Sequence, residues 1–129
     1  MAGAAPGRRD GPYGAARPSR PERRENTVVK PLTDDEIAEA LHDLPGWRVV
    51  GDELTAAYTV DRDKVPPFYT AVAAAEDEAD HHARVTVLYG TVAFAVNTHS
   101  LGGAITSKDT ALARRITDLA AEYGAVPGG

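Results

Sequence analysis

The sequence predicts an α+β domain, a four-stranded antiparallel sheet with three helices on one face, in the order helix, two strands, helix, two strands, helix. Three observations carry that prediction. Two pairs of segments alternate apolar and polar residues at period two across a short turn, the pattern of half-buried hairpins. Three other segments repeat apolar residues at spacings of three and four, the pattern of a helix with one buried stripe. Helices alternate with whole hairpins rather than single strands, which favours antiparallel pairing.

The first helix begins at Thr33-Asp34-Asp35-Glu36, which has the form of a capping box, and continues through Ile37, Leu41 and Leu44 to Pro45-Gly46. Residues 47–50 and 54–60 then flank Gly51-Asp52-Glu53, with Leu54, Ala56, Tyr58 and Val60 on one face of a hairpin. In the second helix, Val65, Phe68, Val72, Ala75 and Ala79 form the apolar stripe, and Ala71, Ala73 and Ala74 raise its intrinsic propensity. Pro66 and Pro67 fit its first turn, where a missing amide donor costs least. A second hairpin turns at Gly90, with Val85, Val87 and Tyr89 on one arm. On the other arm Val92, Phe94, Val96 and Thr98 share one face, while Ala93 and Ala95 form a smooth opposite face on which a helix is expected to lie. Past the Gly102-Gly103 turn, Thr106 and Asp109 cap a last helix marked by Leu112, Ile116, Leu119 and Tyr123. The folded domain is expected over 31–124, with residues 125–129 frayed.

At 129 residues, with 43% hydrophobic and 26% charged residues, the chain is expected to be one soluble domain able to bury its own core. There is no apolar run long enough for a membrane span. The absence of cysteine excludes a disulfide scaffold, a thiolate nucleophile and a cysteine zinc site; with no apolar leader segment, a cytoplasmic location is expected. The net charge of −5 conceals an asymmetry. Residues 1–30 carry seven basic against three acidic side chains, leaving an acidic body of net charge −9. That Gly-, Pro- and Arg-rich leader is expected to be a disordered tail; without aromatic interleaving it suggests no nucleic-acid partner.

Function is sought where histidine concentrates. Three of the four histidines fall within nineteen residues, in Asp80-His81-His82-Ala83 and Asn97-Thr98-His99-Ser100. Imidazole holds or releases a proton near neutral pH without a special environment, so such clustering suggests proton transfer, a metal or a pH switch. Read alone, the tandem pair also suits a polar helix terminus, where imidazolium complements the dipole. The three histidines lack the i, i+4 spacing of a metal-binding helix, so no metal is expected. His42 reads as a solvent-facing helix residue. Gly102-Gly103 reads as a turn rather than a phosphate loop. Trp47 and Tyr89 read as strand aromatics of core or interface, with Tyr89 also a candidate pocket residue.

Taken together, Asp80-His81-His82 at a helix end, the following hairpin, Thr98-His99, the Gly-Gly turn, Thr106, Asp109 and the last helix resemble the pterin-4a-carbinolamine dehydratases. Leu32-Thr33-Asp34-Asp35-Glu36 and Leu44-Pro45-Gly46-Trp47 extend the resemblance over about residues 32–123. The resemblance implies an enzyme that dehydrates a 4a-hydroxytetrahydropterin to the quinonoid dihydropterin without metal or organic cofactor. It places His81, His82 and His99 at the family's active-site histidines; because the reaction needs both an acid and a base, His81 and His99 are expected to transfer the protons and His82 mainly to bind the pterin. Asp77, Asp80, Asn97, Thr98 and Ser100 are the expected substrate-binding neighbours, with Asp77 one turn before His81 placed to orient an imidazole. The chain departs from the family habit in carrying Ala83 where proline usually follows the histidine pair, Asp77 where glutamate is common, and a longer turn between His99 and Thr106. Two alternatives accompany this reading: a non-catalytic dimerisation or assembly module of the same fold, and an enzyme using the same imidazoles on another heterocycle. The uncovered sheet face and open strand edges lead to the expectation of a homodimer or homotetramer.

Overall fold

The computed structural model describes residues 29–128, so the expected basic tail over 1–30 lies outside them apart from Val29 and Lys30. The α+β architecture is the expected one. Helix α1 spans Asp34–Leu41, and both halves of its capping box form: Glu36 N–H donates to Thr33 Oγ1, and Thr33 N–H to the Glu36 carboxylate. Strands β1 (Arg48–Val50) and β2 (Glu53–Thr59) make the first hairpin. Helix α2 runs Val65–Ala79, followed by β3 (Arg84–Leu88), β4 (Thr91–Val96) and helix α3 (Ser107–Glu122).

The two hairpins join through their inner strands, giving the order β1-β2-β4-β3. Leu54 stands opposite Val96, Ala56 opposite Phe94 and Tyr58 opposite Val92, so the apolar faces of both hairpins fall on one side. All six side chains are buried beneath the helices, together with Phe68 and Val72 of α2 and Leu112 and Ile116 of α3. Ile37 and Leu41 of α1 pack against this same core while remaining partly exposed. At its centre Tyr58, Phe68 and Phe94 meet edge to face, with ring centroids 6.0–6.3 Å apart. Trp47 stacks on Phe94 and its indole N–H reaches Tyr58 OH at 2.9 Å and Thr117 Oγ1 at 3.0 Å, so the one polar atom of the ring is satisfied inside the core.

Three local expectations are corrected. The helices cover the Phe94 face, not the Ala93 and Ala95 face; the large apolar side chains of β4 decide which side is buried. Ala93, Ala95, Ala57, Arg48 and Thr86 instead line a shallow concavity of about 520 Å3 on the uncovered face. Arg84 of β3 reaches over this face to Glu53 with bonds of 2.7 and 3.0 Å, and that hydrogen bond, aided by the carboxylate charge, raises the guanidinium further above its ordinary range. Secondly, the buried stripe of α2 ends in Glu76 rather than Ala79, which is exposed. Thirdly, instead of fraying, Val126–Pro127 forms a strand, β5, that pairs with β2 beyond the end of β1. Gly46, at φ +87°, makes the room: a Cβ there would lie 2.6 Å from the Pro127 Cβ.

Because Phe94 contacts the other three core aromatics, Phe94→Ala is expected to cost about 3–5 kcal/mol in urea denaturation. Glu39→Ala on the exposed side of α1 is expected to stay within about 0.5 kcal/mol.

Candidate active site

The end of α2 delivers the histidine pair. Asp80 adopts the left-handed conformation (φ 51°, ψ 45°), which Asp tolerates better than most residues. The His81 N–H then donates to the Glu76 carbonyl at 3.1 Å and the Asp80 N–H to the Asp77 carbonyl at 3.2 Å, the bond pair of a Schellman motif. This closure turns the chain out of the helix so that His81 points back towards the start of α3.

There it meets Asp109. His81 Nε2 lies 2.6 Å from Asp109 Oδ1, with Asp109 fully buried and the His81 side chain 11% exposed. The second carboxylate oxygen of Asp109 accepts the Thr106 N–H at 2.8 Å and the Thr98 hydroxyl at 2.9 Å. Thr98 and Thr106 hydroxyls also lie 2.7 Å apart. One carboxylate therefore closes the α3 capping box, fastens the end of β4 and holds the His81 ring. With Nε2–H donating to the carboxylate, Nδ1 is the His81 nitrogen that Asp109 leaves free.

His99 arrives from the other side, as the first residue of a one-turn 3-10 helix directly after Thr98. That loop is closed by two bonds at Thr98, its N–H donating to the Ala104 carbonyl at 2.8 Å and its carbonyl accepting the Gly103 N–H at 3.1 Å. Gly103, at φ +96°, brings the loop so close to Asp52 that a Cβ would stand 2.9 Å from its carboxylate.

His81, His82 and His99 line one open cavity of about 340 Å3. Asp80, Asn97, Thr98 and Ser100 line it too, so seven of the eight residues singled out in the sequence share this wall. The eighth, Asp77, is outside the lining and faces the other imidazole: its Oδ1 is 3.2 Å from His82 Nε2, in a contact that is mostly solvent-exposed. Lys108 adds a cation at the rim. Asp109 stands in the sequence as a capping acid, and only the packing of α3 against the end of α2 reveals its second partner. Ala83, where proline is the family habit, uses its amide: the N–H donates to the buried Glu76 carboxylate at 2.8 Å. Tyr89 is 80% exposed at the hairpin tip and is no part of the cavity. Among the described residues no group of three or more His, Asp or Glu side chains is arranged to hold a metal ion.

The profile of the family described as pterin 4 alpha carbinolamine dehydratase matches residues 30–119. The chain belongs to this family. It is 43% identical over 98 residues to a protein of Streptomyces avermitilis provisionally named pterin-4-alpha-carbinolamine dehydratase, covering 75% of this chain and 97% of that one. A Streptomyces coelicolor protein with the same provisional name is 45% identical over the same length, with the same coverage. The crystal structure of a transcriptional coactivator/pterin dehydratase from Brucella melitensis superposes with a TM-score of 0.67 at 29% identity, over 70% of this chain and 99% of that one. A pterin dehydratase-like RuBisCO assembly factor of the alpha-carboxysome shares the fold, at a TM-score of 0.51 and 23% identity over 61% of this chain and 94% of its own. No helix among the described residues is long and apolar enough to cross a membrane.

Asp109→Asn retains the shape of the cap but removes the carboxylate facing His81. We expect a loss of about 1–3 kcal/mol in thermal unfolding, and altered ring resonances for His81 with those of His82 unmoved in histidine NMR.

Proposed function

We propose that the chain removes water from a 4a-hydroxytetrahydropterin, giving the quinonoid dihydropterin, by acid–base catalysis through its histidines. The observation that carries this reading is the convergence of His81 and His99, from the ends of α2 and β4, on one cavity in which His81 is tethered to a buried carboxylate. Such an arrangement matches the reaction's demand for an acid and a base facing one planar ring.

The proposed steps use the His81 nitrogen that Asp109 leaves free. The His81 Nδ1 lone pair takes the proton from the ring nitrogen adjacent to C4a, and Asp109 stabilises the imidazolium that forms. Protonated His99 delivers its proton to the 4a-hydroxyl; the C–O bond breaks, water leaves, and the nitrogen electrons close the new C=N bond. His99, which is exposed, regains a proton from solvent while His81 releases the one it took through the open cavity, so the cycle closes without a net change in charge. His82 binds the pterin alongside, and Asp80, Asn97, Thr98 and Ser100 complete the wall that receives it. No metal or organic cofactor takes part in these steps.

A docking or assembly module has no need of three imidazoles around one open cavity, which is why the catalytic reading stands ahead of a scaffold. Self-association is a separate part of the proposal. Beyond its pairing with β4, β3 forms an edge with no further strand among the described residues, leaving Val87 46% and Leu88 65% exposed, and pairing with a second copy would reduce that exposure.

With a freshly generated 4a-carbinolamine followed by its ultraviolet decay, His81→Ala and His99→Ala are each expected to lower the dehydration rate by ~10² to 10⁴. Parental rates in both variants would remove the assignment. Sedimentation of the full chain at tens of micromolar is expected to give a dimer or tetramer; a monomer would exclude the pairing.

A further inference from the structure

Among the described residues, one buried carboxylate is left unused by the proton transfers. Glu76 is 5% exposed, on the apolar stripe of α2 and within its last turn. Both features oppose it: a carboxylate loses hydration on burial, and the carboxyl end of a helix repels negative charge. What it gains is two fastenings on the segment that follows. Its carboxylate accepts the Ala83 N–H at 2.8 Å, while its backbone carbonyl accepts the His81 N–H at 3.1 Å. A single residue thus pins the chain on both sides of His82. The His82 ring itself has little else to hold it, since its contact with Asp77 pairs side chains 58% and 80% exposed, and such pairs contribute little.

We propose that Glu76 is a positioning residue, a carboxylate clamp on the Ala83 amide that fixes the backbone from His81 to Ala83 and thereby aims His82 into the cavity. Its kinetic consequence rests on the dehydratase reading, whereas its effect on the backbone does not. Ala83 is the matching half of the device, because the clamp requires a donor that proline at this position would lack. Removing Glu76 leaves a partly buried amide without its acceptor, and removing the amide leaves a buried carboxylate without its donor; removing both leaves neither.

The test uses the full chain and four variants: Glu76→Ala, Glu76→Gln, Ala83→Pro and the double variant Glu76→Ala/Ala83→Pro. Each is measured for kcat and KM of carbinolamine dehydration, for amide exchange at Ala83 where an amide remains, and for the His82 ring resonances. Glu76→Ala is expected to speed Ala83 exchange at least tenfold, shift the His82 ring signals and lower kcat/KM roughly ten- to hundredfold, mainly through KM. Glu76→Gln retains an acceptor oxygen and is expected to stay several-fold above Glu76→Ala in kcat/KM. Ala83→Pro alone is expected to fall like Glu76→Ala, and the double variant to recover at least half of that loss. Unchanged Ala83 exchange and unmoved His82 signals in folded Glu76→Ala would overturn the clamp, as would a Glu76→Gln variant as impaired as Glu76→Ala. If Glu76→Ala does not fold, recovery in the double variant relative to Ala83→Pro decides the matter, and no recovery overturns it. A parental protein that dehydrates no carbinolamine would defeat the dehydratase reading alone, since exchange and ring signals still report on the clamp.

Discussion

A carboxylate with no access to water is tolerable only when its oxygens are engaged, and in this molecule that requirement falls on Asp109. Its partners come from three places in the chain: the Thr106 amide at the start of α3, the Thr98 hydroxyl at the end of β4, and the His81 ring beyond α2. Satisfying this one side chain therefore brings together the termini of three elements. Helix packing around Phe68, Phe94 and Ile116 carries the bulk of the stability, but it leaves the element ends free to wander by a residue or so. Hydrogen bonds to Asp109 remove that freedom where the imidazoles must meet.

Much of this architecture is written in local patterns. Both capping boxes form as Thr33-x-x-Glu36 and Thr106-x-x-Asp109 predict, because a cap depends only on residues three apart. Both hairpins turn where glycine and polar residues interrupt the period-two alternation. The choice of covered face is decided only when side chains from different strands are added together: alanines make a smooth surface, but burying Val92, Phe94 and Val96 removes far more apolar area from water. β5 lies in a Pro- and Gly-containing segment with no periodicity, and its pairing depends on space beside Gly46 that no short-range pattern encodes.

The cavity follows the same division. The histidines and their immediate neighbours are found by spacing, since residues next to a wall-forming side chain tend to line the same wall. Their supporting groups are not. Asp77 is one helical turn from His81, yet the left-handed Asp80 rotates the chain so that Asp77 faces His82 instead. Asp109 and Glu76 look like a cap and a surface acid until α3 closes over the end of α2 and buries both. The Ala83–Glu76 bond, likewise, forms only once the chain has turned out of α2 through Asp80.

The route taken by the last strand also separates two surfaces. Gly128 borders the concavity on the uncovered sheet face, with Arg48 and Ala57, and takes no part in the histidine wall. A fluorophore or an immobilising linker joined beyond that residue would emerge over the strands, shading that broad shallow basin while the imidazoles stayed open to diffusing small molecules.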